Sequence, residues 1–267
     1  MAQGYALITG ASSGIGEAFA RELARSGRSC ILVARSAEKL EALRSELQAS
    51  CPDVAVVVIP LDLSTANAAA QLFAETQART LEVDLLINNA GFGAFDDFAE
   101  LPLARQTEML RLNISALVEL THFYLGPMRM RQAGALINVA STAAFFPGPF
   151  FATYAATKAF VLSFSQALFV ENRNHGVLVM ALCPGATATN FFEVARMHTF
   201  AQRLRMQTAQ QVVRGALRGL QYRRAVMVTG VTNKVMAVAS RFMPRVIMLE
   251  LLGPIFERMY RQQINRG

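Results

Sequence analysis

Tyr5-Ala6-Leu7-Ile8-Thr9-Gly10-Ala11-Ser12-Ser13-Gly14-Ile15-Gly16 is the first patterned stretch of the chain. A short apolar run passes into a loop with three glycines, then into a segment carrying Ile15, Phe19 and Leu23 on one side. Gly27 stops that segment, as glycine does at helix ends. The reading is strand, glycine turn, helix. Glycine lets a backbone come close to a ligand, and a helix N-terminus offers N–H groups and the positive end of its dipole. Gly10, Ser12, Ser13, Gly14, Ile15 and Gly16 therefore form a candidate pyrophosphate cradle, with spacing G-x-x-x-G-x-G.

The same alternation continues outward. Ser29 to Ala34 reads as a second strand, and Ser36 caps a helix running to about Ala49. Val54 to Ile59 is an unbroken apolar run of the parallel-sheet kind. A helix is expected from Ser64 to near Thr80, and strand four over Asp84 to Asn88. Leu103 to Met130 reads as one long helix, Ala135 to Ala140 as strand five, and Tyr154 to Glu171 as a helix. Val177 to Leu182, a helix over Ala209 to Arg218, and Ala225 to Thr229 complete the pattern. Strands alternating with helices imply βαβ units and a parallel sheet with right-handed crossovers.

Composition agrees with one α/β domain over residues 1–267: the chain is 53% hydrophobic and 17% charged, with no linker or low-complexity tract. No basic segment followed by an apolar one precedes the first strand, so the expected location is cytoplasmic. Cys30, Cys51 and Cys183 read as free thiols of a reducing compartment rather than a disulfide framework. His122, His175 and His198 lack ligand spacing, and no metal site is expected. The net charge of +7 comes almost wholly from arginine; the lysines are Lys39, Lys158 and Lys234. The basic residues are dispersed, without a dense run interleaved with aromatics, which argues against nucleic acid.

Two further positions carry chemistry. Arg35 ends strand two, where NAD-binding folds place an acid for the ribose 2′-hydroxyl. A guanidinium there suits a 2′-phosphate instead, which points to NADP(H), with Ser12 and Ser36 as supporting hydroxyls. Tyr154 and Lys158 lie four apart on a helix, and so on one face. An ammonium beside a phenol lowers its pKa from about 10 and makes it a usable proton donor or acceptor. The same pair also occurs on ordinary helices, so the surrounding segments decide. Asp62-Leu63 follows strand three, where an adenine edge would lie, and Asn88-Asn89-Ala90-Gly91 ends strand four with small residues against which a cofactor can rest.

In this order the motifs resemble the short-chain dehydrogenase/reductase family, in its compact single-domain branch, over residues 4–190. Thr9 to Gly16 resembles the cofactor loop, and Asn88 to Gly91 the structural and cofactor motif. Asn113, Ser141, Tyr154 and Lys158 fall where the catalytic tetrad lies. Pro184-Gly185, with Thr187 or Thr189, resembles the loop that meets the nicotinamide carboxamide. The resemblance implies a doubly wound, parallel seven-stranded sheet of Rossmann type with helices on both faces. It also implies a homodimer or homotetramer. It gives Tyr154 the role of proton donor and Lys158 that of lowering its pKa and holding the nicotinamide ribose. Ser141 would polarise the carbonyl, and Asn113 would hold a water in a relay to Lys158.

The substrate side is expected to be apolar. Ala143 to Ala152 carries four phenylalanines and reads equally as substrate lining or as core. Residues 190–267 are the expected lid and variable region, with Phe191, Phe192, Met197 and Phe200 in the lid. Met236 to Arg245 is similar to relatives acting on lipids, steroids or other hydrophobic carbonyls. The Val226 to Leu252 run is interrupted by Lys234, Arg241, Pro244 and Arg245. It reads as a cover for the pocket, with peripheral membrane contact as the alternative. The leading expectation is an NADPH-dependent carbonyl reductase or alcohol dehydrogenase for a small hydrophobic ketone or alcohol. The alternative is a non-catalytic NADP-binding sensor or scaffold. A sugar-nucleotide epimerase fits poorly with the glycine spacing.

Overall fold

The computed structural model describes residues 4–195, 197 and 206–264. Its main sheet has seven strands in the order β3-β2-β1-β4-β5-β6-β9, every pair parallel. These are β1 (Tyr5–Thr9), β2 (Cys30–Ala34), β3 (Val56–Pro60), β4 (Val83–Asn88), β5 (Gly134–Val139), β6 (Val177–Cys183) and β9 (Val226–Val228). Two-residue strands β7 (Thr187–Ala188) and β8 (Gln207–Thr208) pair separately. The chain winds outward from β1 to β3 and then returns to place β4 beside β1. That reversal is the switch point beside which ligands bind in open parallel sheets.

The apolar pattern explains the layers. Successive side chains of a strand point to opposite faces. Ile8 joins Phe19, Leu32, Leu40 and Val212 on one side, packed by α1 (Gly14–Arg25), α2 (Ala37–Ser50) and α8 (Ala209–Gln221). Leu7 joins Ile31, Leu72, Leu120 and Leu136 on the other, packed by α3 (Ala68–Ala78) and α5 (Ala116–Arg131). With both faces covered, the strands need no polar alternation. Each fully buried aliphatic side chain contributes about 1.5–3 kcal/mol.

Several boundaries differ from expectation. The third strand begins at Val56 because Val54 and Ala55 still belong to the preceding turn. The helix expected from Ser64 begins at Ala68. Asp62 Oδ1 accepts hydrogen bonds from the Ser64 N–H at 2.9 Å and hydroxyl at 2.7 Å, which holds those residues in a turn. The long helix is divided: α4 (Leu103–Leu110), a π-helical turn over Arg111–Ser115, then α5. The apolar C-terminal run folds as β9 and two helices, α9 (Val231–Ala239) and α10 (Arg245–Ile264), parted beside Pro244. The Tyr154 helix, α6, runs Ala152–Asn172.

A buried polar ladder ties the sheet to these helices. Asn88 Nδ2 donates to Asn138 Oδ1 at 2.9 Å and to Thr121 Oγ1 at 3.1 Å, and Asn138 Nδ2 donates to Ser165 Oγ at 3.0 Å. The cross-strand bond fixes β4 against β5 at the Asn88–Asn138 register.

Candidate active site

The strand ends open into a cavity of about 1260 Å³. That exceeds the usual range of roughly 300–1,000 Å³ for a small-ligand pocket. Gly10, Ser12, Ser13, Gly14 and Ile15 line it after β1, Arg35 after β2, and Asp62 and Leu63 after β3. Asn89, Ala90 and Gly91 follow from β4, Ser141 from β5, and Tyr154 and Lys158 from α6. Pro184, Gly185, Thr187 and Thr189 follow from β6.

Two expected site residues stand behind this lining. A side chain on Gly16 would overlap the Gly10 carbonyl oxygen and come within 2.6 Å of Asn89 Nδ2, so Gly16 serves helix–strand packing. Asn113 is buried in the π turn. Its Oδ1 accepts from the Phe92 N–H at 3.1 Å, and its Nδ2 donates to the Phe92 carbonyl at 3.0 Å and to Thr157 Oγ1 at 3.1 Å. Both amide donors are thus spent on protein groups, so the expected water would need another donor.

The glycine loop has a shape only glycine holds easily. Gly10 and Gly14 sit at φ +66° and +58°, in the left-handed region. Asn89 braces the loop, its Nδ2 donating to the Thr9 carbonyl at 2.8 Å. Ser13 is the N-cap of α1, yet its side chain makes no capping bond. The first-turn N–H groups therefore lack a side-chain cap, as suits an anion at a helix N-terminus.

At the β2 end, the Arg35 side chain is 69% exposed and lies 3.8 Å from Glu108, a weak contact for a screened pair. Lys39 lines the same part of the cavity, and the sequence reading passed over it. Its four-residue spacing from Arg35, across the helix start at Ser36, was the available signal. Burial works against the Asp62 carboxylate, but the Ser64 hydrogen bonds and the Arg35 charge outweigh it and hold its pKa below the ordinary value.

At the β5 end, the Tyr154 ring stacks on Phe151 at 4.3 Å between centroids and tilts against Phe191 at 5.3 Å. Ser141 stands close enough to the phenol to favour its ionised form, and Ser141 Oγ accepts from the Ala143 N–H at 3.1 Å, which orients it. Lys158 Nζ donates to the Val139 carbonyl at 2.8 Å and lies 5.7 Å from the centre of the Tyr154 ring. Burial pushes the phenol up to about 12, opposed by the nearby Ser141 side chain. Burial pushes the Lys158 ammonium down to about 8, opposed by neighbouring Cys183. This corrects the expected lowering of the Tyr154 pKa by Lys158. Both groups are desolvated, and desolvation penalises each charged form.

The aromatic loop divides its residues. Phe146 and Phe151 line the cavity, Phe150 stacks on Tyr260 at 4.3 Å, and Phe145 packs beside Leu117 in a separate cluster. Of the lid residues, Phe191 and Phe192 sit on or beside the short helix α7 (Phe191–Val194) and line the cavity with Met197. Phe200 and His198 lie outside the described residues. The C-terminal helices supply Asn233, Met236 and Phe256 to the lining. Asn233 was not foreseen. Its Nδ2 donates to the Thr229 carbonyl at 2.7 Å, and the amide packs where a Gly185 side chain would be. No spacing in the sequence joins α9 to that loop.

The doubly wound parallel sheet, with a glycine cradle at its switch point, defines a Rossmann-type nucleotide-binding fold. The model of the short chain dehydrogenase family matches residues 4–199, and the chain belongs to that family. A very-long-chain 3-oxoacyl-CoA reductase-like protein of Arabidopsis thaliana is 38% identical over 184 residues, covering 67% of this chain and 58% of that protein. The chain thus spans about three-fifths of the length of the curated relatives it matches. Among solved structures, a short-chain dehydrogenase from Sphingobium yanoikuyae in complex with NADPH is 32% identical, with TM-score 0.79 over 84% of this chain and 87% of the other. A bulky-bulky ketone specific alcohol dehydrogenase from Comamonas testosteroni is 30% identical, with TM-score 0.76 over 85% and 86%.

Proposed function

We propose that the chain is an NADPH-dependent carbonyl reductase or alcohol dehydrogenase for hydrophobic ketones and alcohols, with Tyr154 as the general acid and base. The observation that carries this reading is the meeting of the Ser141 hydroxyl, the Tyr154 phenol and the Lys158 ammonium in the cavity that also holds Arg35 and Lys39. The NADPH-bound relative and the bulky-ketone relative support the cofactor and the substrate class.

The residues present fit a dinucleotide. Gly10 and Gly14 form the cradle, and Arg35 and Lys39 would hold a 2′-phosphate through charge-assisted bonds. When bound, NADPH supplies the hydride. Ser141 then hydrogen-bonds the carbonyl oxygen, and Tyr154 gives it the phenolic proton, so the oxygen leaves as a hydroxyl. A proton donor aimed at developing oxyanion charge is worth most where water is excluded. Phe151 and Phe191, packed on the tyrosine ring, exclude it. Lys158 Nζ, 5.7 Å from the centre of that ring, is the charge that would stabilise the phenolate as it forms. Asn113 holds Phe92 and Thr157 in place, a positioning role. Phe191, Phe192, Met197 and Phe256 would cover the substrate.

The exposed Phe160, stacked on Phe164 at 5.6 Å along α6, supports a homodimer contact on that helix. The functional reading is tested by NADPH consumption with bulky apolar ketones set against small polar ones. We expect turnover of the former and little of the latter. Tight NADPH binding with no turnover of any carbonyl would overturn the reading in favour of a sensor.

A further inference from the structure

Exposed apolar side chains gather in the last two helices. Val231, Val235, Val238 and Phe242 recur at three- and four-residue helical spacing along α9 and the turn after it, and all are exposed, Phe242 at 83%. In α10, Met248, Leu252 and Phe256 pack inward, yet Val246, Ile247 and Leu251 are open to solvent. A surface helix ordinarily keeps its outer face polar, and large exposed apolar patches mark interaction sites.

The charge on this surface is one-sided. Lys234, Arg241, Arg245 and Arg258 are exposed, and none has an ion pair among the described residues. The acids in the same stretch are Glu250 and Glu257, and Glu257 already pairs with Arg261 at 2.5 Å. No described helix is long and apolar enough to cross a membrane. The surface is continuous with the cavity, because Val231 and Met236 of α9 also line it.

We propose that α9 and α10 dock in the plane of an anionic bilayer, so that a hydrophobic substrate passes from lipid into the cavity beside Met236. Apolar residues with unpaired flanking cations match an acyl boundary beneath anionic headgroups. A second copy of this chain fits less well, since a symmetric contact would set Arg241 and Arg245 near their own equivalents with few acids to match them. Only the substrate's passage rests on the proposed reductase reading. The docking itself requires no turnover.

Co-flotation of the full chain with phosphatidylcholine vesicles, with and without phosphatidylserine, tests this. The chain should float with the phosphatidylserine vesicles and be released by salt. Arg241→Gln with Arg245→Gln should weaken binding about thirtyfold, near one factor of five for each cation. Phe242→Ser with Val246→Ser should abolish it while NADPH binding stays unchanged. No flotation of the parent chain, or flotation that both double variants leave intact, overturns the proposal. So does a result in which the variants split an oligomer in sedimentation velocity without altering vesicle binding. Vesicle binding and ketone turnover are read separately, so either idea can fail alone.

Discussion

Asn113 grips the main chain of Phe92 at both of its polar groups, accepting from the N–H at 3.1 Å and donating to the carbonyl at 3.0 Å. Its remaining donor reaches Thr157 on α6, so one amide joins the loop after β4, the π turn and the tyrosine helix. Asn113→Ala would leave buried backbone groups unpaired. The expected cost is at least about 1–3 kcal/mol, read from urea unfolding. Turnover should fall with it, because α6 carries Tyr154 and Lys158. Unchanged stability would show that the clamp is not needed.

Lys158 is a buried cation held by a carbonyl rather than by an acid. Its pKa is pushed down to about 8 from an ordinary 10.5. The unfolded chain therefore binds the proton more readily than the folded one, and the folded state is penalised below pH 8. Stability from this group should rise as pH climbs from about 8 to 10.5. Lys158→Met should raise the melting temperature of the ligand-free protein at pH 7 by a few degrees, and by less near pH 10, while removing turnover. A lower melting temperature at pH 7 would contradict this.

The glycines separate into required and incidental positions. Gly16→Ala drives a methyl into the Gly10 carbonyl and Asn89. A loss of about 1–3 kcal/mol and weaker NADPH binding are expected. Gly126 within α5 has nothing within 4 Å of where a side chain would begin. Gly126→Ala should gain up to about 1 kcal/mol from helix propensity. Calorimetry on the two variants compares them directly.

Arg35 is mostly exposed and only loosely paired with Glu108, so it is free to turn toward a 2′-phosphate. Arg35→Asp should weaken NADPH binding by roughly tenfold or more and leave NADH binding nearly unchanged, since charge-assisted hydrogen bonds contribute about 1.5–3 kcal/mol. Lys39→Ala should act in the same direction with smaller effect. Fluorescence titration with both cofactors checks each, and equal affinities of the parent chain for NADH and NADPH would refute the assignment.

The fold was legible because period and punctuation agreed. Apolar runs such as Val177–Cys183 alternate with amphipathic segments, and both faces of a parallel sheet must be covered. The glycine loop, Arg35, Ser141 and the Tyr154–Lys158 pair are local patterns, and the topology brings them to one cavity. What the sequence hid is non-local. The π turn at Asn113 has no composition signal, because its residues favour α-helix as readily. The packing of Asn233 on Gly185 joins segments far apart in the chain. The desolvation of Tyr154 depends on Phe151 and Phe191 covering it, which spacing alone does not express.

Transfer of label from NADPH deuterated at the nicotinamide C4 to a bulky apolar ketone tests the central claim most directly. The parent chain should place deuterium on the carbinol carbon. Tyr154→Phe should still bind NADPH yet form labelled product about 100- to 10,000-fold more slowly, the range typical of losing a general acid. Absence of label in the parent product, or equal rates for parent and Tyr154→Phe, would contradict the account.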